Sequence, residues 1–127
     1  MTENEIGDII VNTAIRLHQN LGPGLLESVY EAILEKQFQA QDLFVQRQVA
    51  VPFEYAGMRF NEGFRADLII NDKVIIELKS VECLNKAHKK QLLTYLRLSG
   101  KKLGYLLNFG ESLMKNGIVR IINGKLS

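Results

Sequence analysis

The chain has 127 residues, of which 46% are hydrophobic and 24% charged, with a net charge of +2. That length suits one domain whose core needs no staples; the single cysteine, Cys83, excludes an internal disulfide, and there is no zinc-type Cys/His spacing. The charge is too small to imply nucleic-acid binding by itself, no apolar run approaches the roughly 20 residues of a membrane span, and the acidic, polar start carries no secretory pattern, so a reducing, cytoplasmic setting is expected.

Thr2-x-x-Glu5 forms a capping-box pattern that opens a first helix. Ile6, Ile9, Ile10, Thr13, Ala14, Leu17 and Leu21 follow at helical spacing until Gly22-Pro23 stops it. His18, near the end of that helix, reads as a side chain favoured by the helix dipole. A second helix is expected from about Gly24 to Asp42, with Leu26, Val29, Ile33, Leu34 and Phe38 as its core stripe. Glu27 and Tyr30, three apart, are neighbours on it; by itself Glu27 is also what a first turn commonly carries against the helix dipole.

Leu43 to Val51 reads as the first strand, with Pro52 at its end and Tyr55-Ala56-Gly57-Met58 as a turn. Strand character resumes at Arg59 and leads into Phe64 to Ser80, the most informative stretch. There two apolar, β-branched runs flank a polar tip at Asn71-Asp72-Lys73, and Asp67, Glu77 and Lys79 interrupt them. Charges placed in such runs are costly unless paired, so they point to a site. Glu77 and Lys79 are two apart and share a strand face. A two-residue loop would set Asp67 opposite Ile76 and turn it away from Glu77. A three-residue loop, Asn71 to Lys73, pairs Ile70 with Val74 and Asp67 with Glu77, and that register, or a bulge restoring it, is the expectation. Two carboxylates so placed need a proton, the Lys79 ammonium, or a hard divalent ion held by oxygens.

Asn85 caps a third helix that Gly100 ends, with Leu92, Leu93 and Leu96, joined by Ala87 and Leu98, as its apolar stripe. His88, Gln91 and Tyr95 follow one another at about one-turn intervals. Lys86, Lys89, Lys90, Arg97, Lys101 and Lys102 lie between positions 86 and 102, where no acidic residue occurs. A solvated basic face and a phosphate-tracking surface are the two readings of that run. Leu103 to Phe109 is the next strand, Gly110 to Gly117 a loop with room for one helical turn, and Ile118 to Ile122 the last strand. The order ααβββαββ implies an α/β fold: a mixed sheet covered by helices, antiparallel in its first meander, with one parallel pair across the third helix.

Asp67 followed after nine residues by Glu77-Leu78-Lys79 resembles the D…ExK signature of the PD-(D/E)XK nuclease superfamily, the restriction-endonuclease-like fold. Gln91-Leu-Leu-Thr-Tyr95 resembles the QxxxY motif of its recombination-type exonuclease branch. Gly24-Leu-Leu-Glu27-Ser-Val-Tyr30 is similar to the motif of the small bacterial GxxExxY family. Ala66 stands where the superfamily often has proline. The resemblance implies a Mg²⁺-dependent nuclease, with Mn²⁺ substituting. Asp67, Glu77 and the Leu78 carbonyl would hold the ion, and Glu27 would reach it directly or through water. Lys79 would act on the attacking water or on developing charge, and Gln91 and Tyr95 would position the scissile strand or the groups that surround the ion. Lys86, Lys89, Lys90, Arg97 and Arg65 would contact nucleic acid, DNA ahead of RNA; Arg65 is equally a salt-bridge partner. A homodimer would serve cleavage of both strands. Two other readings stand beside this one: a non-catalytic module binding nucleic acid or protein, and a structural cluster pairing Lys79 with Glu77 and Arg65 with Asp67.

Overall fold

The computed structural model describes residues 1–126. Helix α1 (Glu3–Leu21) opens on the expected capping box, in which the Glu5 N–H donates to Thr2 Oγ1 at 3.2 Å and the Thr2 N–H to Glu5 Oε1 at 2.9 Å. Helix α2 spans Glu27–Gln39, so it starts three residues later than expected and ends three earlier. Its buried face is turned from the expected one and shares only Leu34 and Phe38 with it. Tyr30, Glu31, Leu34 and Phe38 are inside, whereas Leu26 and Val29 are exposed and Ile33 is half-buried. The reason is Tyr30, which stacks on Phe109 with ring centroids 4.1 Å apart and sets the rotation of the helix. Its hydroxyl donates to the Gly22 carbonyl at 2.6 Å and accepts the Leu25 N–H at 3.2 Å, tying residues 22–25 into a non-helical turn.

Among the described residues, five strands form one sheet in the order β1-β2-β3-β4-β5: β1 (Val45–Tyr55), β2 (Met58–Ile70), β3 (Val74–Lys79), β4 (Leu103–Asn108) and β5 (Ile118–Ile122). All neighbours are antiparallel except β3 and β4, which run parallel because α3 (Lys86–Ser99) crosses between them. Strand β1 does not stop at Pro52. It is an edge strand, and the register shift between Val51 and Phe53 accommodates the missing N–H, so pairing continues to Tyr55↔Met58 around a turn with Ala56 and Gly57 at positive φ. Beyond the end of β3 these two strands run on as a free ribbon, on which Phe53 stacks against Phe60 at 5.1 Å and Tyr55 and Met58 are exposed.

The sheet separates two apolar clusters. On one face Leu68, Ile70, Val74, Ile76, Leu78, Leu103, Tyr105 and Leu107 pack against α1 and α2. On the other, Ala66, Ile69, Ile75 and Leu106 pack against Leu92 and Leu96 of α3. Leu98, expected in that stripe, is exposed, and Ala87 is exposed as well. Gly104 lets α3 come close, because a Cβ there would lie 3.1 Å from the Leu92 side chain. No helix among the described residues is long and apolar enough to cross a membrane.

Candidate active site

The hairpin between β2 and β3 takes the three-residue form. Ile70 pairs with Val74, Ile69 with Ile75 and Leu68 with Ile76, so continuation of the ladder sets Asp67 opposite Glu77. Both tip residues, Asn71 and Asp72, adopt positive φ, and the Lys73 N–H closes the turn on the Ile70 carbonyl at 2.9 Å. At Asp67 the ladder is replaced by a side-chain bond, in which the Leu78 N–H donates to Asp67 Oδ2 at 2.8 Å.

Glu77 is 7% exposed, and its Oε1 is buried with no hydrogen-bond partner. Burial pushes its carboxyl up to about 9, and the charge of the adjacent Asp67 adds to the rise; the Lys79 ammonium works the other way and does not offset them. Tyr95 of α3 lies over the same place. Its hydroxyl is shifted upward, first by burial and then by the charges of Glu77 and Asp67, and its ring stacks on Phe64 at 4.0 Å. The carboxylates of two strands and the phenol of a helix therefore converge on the α3 face of the sheet, beside the C-terminal end of β3.

The ion-pair cluster does not form among the described residues. Lys79 makes no salt bridge with Glu77, and Arg65 pairs with Glu62 at 2.8 Å rather than with Asp67. Glu27 stands exposed at the start of α2, and no third His, Cys, Asp or Glu side chain among the described residues joins Asp67 and Glu77 in a metal-binding group. The acid of α2 that is drawn toward the site is Glu31, one turn further on. It is 5% exposed, accepts the Arg47 Nε–H at 2.8 Å and bonds Gln48 Nε2 at 2.6 Å, and Gln48 Nε2 also reaches Asp67 Oδ1 at 3.2 Å. Glu31, Arg47 and Gln48 were not among the residues singled out from the sequence. The i, i+4 spacing of Glu27, Glu31 and Glu35 was the one signal present, and it did not say which acid faces inward.

Beyond Glu77, β3 ends at Lys79, which is half-buried and paired with Asn108 of β4. Asn108, fully buried, fixes the chain after Lys79: its Oδ1 accepts the N–H of Val81 at 3.0 Å and of Gly110 at 3.1 Å, and its Nδ2 donates to the Val81 carbonyl at 3.0 Å. Gln91, Lys86, Lys89, Lys90 and Arg97 are exposed on α3, and no side chain among these four cations joins a salt bridge. His18, at the end of α1, is buried and bonds the Glu111 carbonyl through Nε2 at 2.8 Å, a structural tie.

A mixed sheet with an acid pair and a lysine beside its one parallel step defines the class of restriction-endonuclease-like folds. The model of the PD-(D/E)XK nuclease superfamily matches residues 4–121, and the chain belongs to that superfamily. No curated protein matches it. Among solved structures, that titled "Crystal structure of SSO0001" is similar in fold, with a TM-score of 0.57 and 21% identity over 76% of this chain. This chain spans 50% of the length of that one.

Proposed function

We propose that the protein is a Mg²⁺-dependent nuclease that hydrolyses phosphodiester bonds, with Mn²⁺ able to substitute, and that it belongs to the GxxExxY branch of its superfamily. The observation that carries this reading is the buried, partnerless Glu77 Oε1 beside Asp67. An orphaned carboxylate oxygen in a protein interior is costly, and a hard cation bound by oxygens supplies the missing partner. Asp67, Glu77 and the Leu78 carbonyl would hold the ion. When bound, a divalent cation supplies Lewis acidity and a water of lowered pKa.

The remaining work falls to the chain's own groups. Lys79, on the strand face of Glu77 and free of any salt bridge, orients the attacking water or stabilises charge developing on the phosphate. Tyr95 and Gln91, one turn apart on α3, position the scissile strand. Glu27, exposed at the mouth of α2, reaches the site through water. Lys86, Lys89, Lys90, Arg97 and Arg65 track the phosphates of nucleic acid, DNA ahead of RNA. Cleavage of both strands would call for a homodimer, and a cytoplasmic setting suits the single exposed thiol of Cys83.

The test is a cleavage assay in Mg²⁺ on single-stranded, duplex and branched DNA and on RNA. We expect at least one DNA substrate to be cut, and Lys79→Ala to lower the rate at least ~100-fold. No cleavage of any substrate, or a wild-type rate in Lys79→Ala, would overturn the reading.

A further inference from the structure

Among the described residues, five other than glycine have positive φ, and four lie where the chain turns: Asp42, Ala56, Asn71 and Asp72. The fifth, Gln48 at φ 53°, lies inside strand β1. It makes no turn, and the register on either side is unbroken, with Arg47 opposite Leu68 and Val49 opposite Ala66. What changes there is the face. Val45 and its partner Ile70 belong to the α1/α2 side, whereas Val49 and Ala66 belong to the α3 side, so the alternation reverses at Gln48 and Asp67. A left-handed conformation is unfavourable for a glutamine, and such strain persists only where surroundings enforce it.

The side chain shows what it accomplishes. Gln48 Nε2 has two hydrogens, and each meets a carboxylate: Glu31 Oε1 at 2.6 Å and Asp67 Oδ1 at 3.2 Å. Two acceptors require the NH₂ end of the amide there, not the carbonyl end. Glu31 is held from its other side by Arg47 at 2.8 Å, and the Gln48 backbone carbonyl is held by Arg65 at 3.0 Å. With Leu78 N–H on Oδ2, both oxygens of Asp67 are fixed.

We propose that Gln48 is a positioning residue: its strained backbone places a neutral amide between Asp67 and Glu31, so that Asp67 is aimed before any ligand arrives. The inference rests on the metal reading given above and extends it to a residue outside the acid pair and the lysine. A carboxylate's outer partners set its orientation, and losing one typically weakens metal affinity by about 10- to 100-fold.

The experiment is calorimetric titration of the full chain with Mn²⁺, together with thermal unfolding of the metal-free protein, for wild type, Gln48→Gly and Gln48→Asn. Glycine takes φ 53° without strain, and asparagine tolerates it but is one methylene too short to bridge. We expect both variants to bind Mn²⁺ at least ~10-fold more weakly while still folding, with the melting temperature of Gln48→Gly no lower than that of Gln48→Asn. A merely structural glutamine would give the opposite pattern, with lower melting and unchanged affinity, and that result would overturn the proposal. Should Gln48→Gly fail to fold, Gln48→Asn decides alone by its affinity. Wild type that binds no Mn²⁺ would remove the metal reading and this inference with it, whereas tight binding by wild type and both variants alike would remove only the role of Gln48.

Discussion

Tyr95 lies flat on Phe64, with ring centroids 4.0 Å apart and planes 6° from parallel. The stack joins α3 to β2 three residues before Asp67, so the phenol is held by a strand that also carries an acid of the site. Tyr95→Phe keeps the stack and removes the hydroxyl. We expect its unfolding free energy to stay within ~0.5 kcal/mol of wild type while cleavage falls about tenfold or more. Phe64→Ala removes the platform from a nearly buried position and should cost roughly 3 kcal/mol of stability. Urea unfolding read beside the cleavage rate separates the two effects.

The upward shift of Glu77 to about 9, from the ordinary carboxyl value of 4.5, has a definite sign. A carboxyl whose folded pKa is raised favours the folded state most fully below about 4.5, and that contribution is lost as pH rises through about 9. Metal-free protein should therefore lose stability across this window, and Glu77→Gln should flatten the decline. Mn²⁺ must displace that proton, so affinity should climb by up to about tenfold per pH unit below 9. Titrations in buffers of different ionisation enthalpy should find about one proton released per ion near pH 7.

Much of this site was legible in the sequence, because strand faces follow a period of two. Once the tip Asn71–Lys73 was counted as three residues, the pairing of Ile70 with Val74 and the convergence of Asp67 and Glu77 followed. Caps were equally readable: Thr2 and Asn85 open α1 and α3 as their spacing requires, and Gly100 closes α3 in the left-handed conformation. Helix α2 was legible only in part: Leu34 and Phe38 of the expected stripe are inside, but the rotation of its first turn was not readable. Leu26 and Val29 stay in solvent while Tyr30 and Glu31 go in, a rotation set by Phe109, about 80 residues away in the chain. Gln48 left no trace at all, since a backbone conformation forced by two distant carboxylates has no composition or period. Pro52 misled for a simpler reason: it ends a strand only where its N–H is needed, and on the edge of this sheet it is not.

Asn108 gives a third prediction. Asn108→Ala strands the Val81 N–H and carbonyl and the Gly110 N–H, and should cost about 3 kcal/mol in urea unfolding. Asn108→Asp restores the two accepted bonds but sets an oxygen against the Val81 carbonyl, so it should remain destabilised. Because the loop held by Asn108 follows directly on Lys79, both variants should also cut more slowly even where fully folded. Gly110→Ala should resemble them, since a Cβ there would lie against the backbone of Val81.

A fourth prediction concerns the pair beneath Gln48. Arg47→Ala leaves the buried Glu31 carboxylate without its cation, and should lower stability in urea unfolding. The double variant Arg47→Ala with Glu31→Gln should recover part of that loss, because no buried charge then remains unpaired. Equal stability of the single and double variants would show that the pair carries no such strain.

The central claim is that Asp67 and Glu77 together make a cation site, and Mn²⁺ titration calorimetry on wild type, Asp67→Ala and Glu77→Ala measures it directly. The account predicts one ion per chain bound by the wild type and a loss of binding in both variants. Absence of binding in the wild type, or undiminished binding after either substitution, would contradict it.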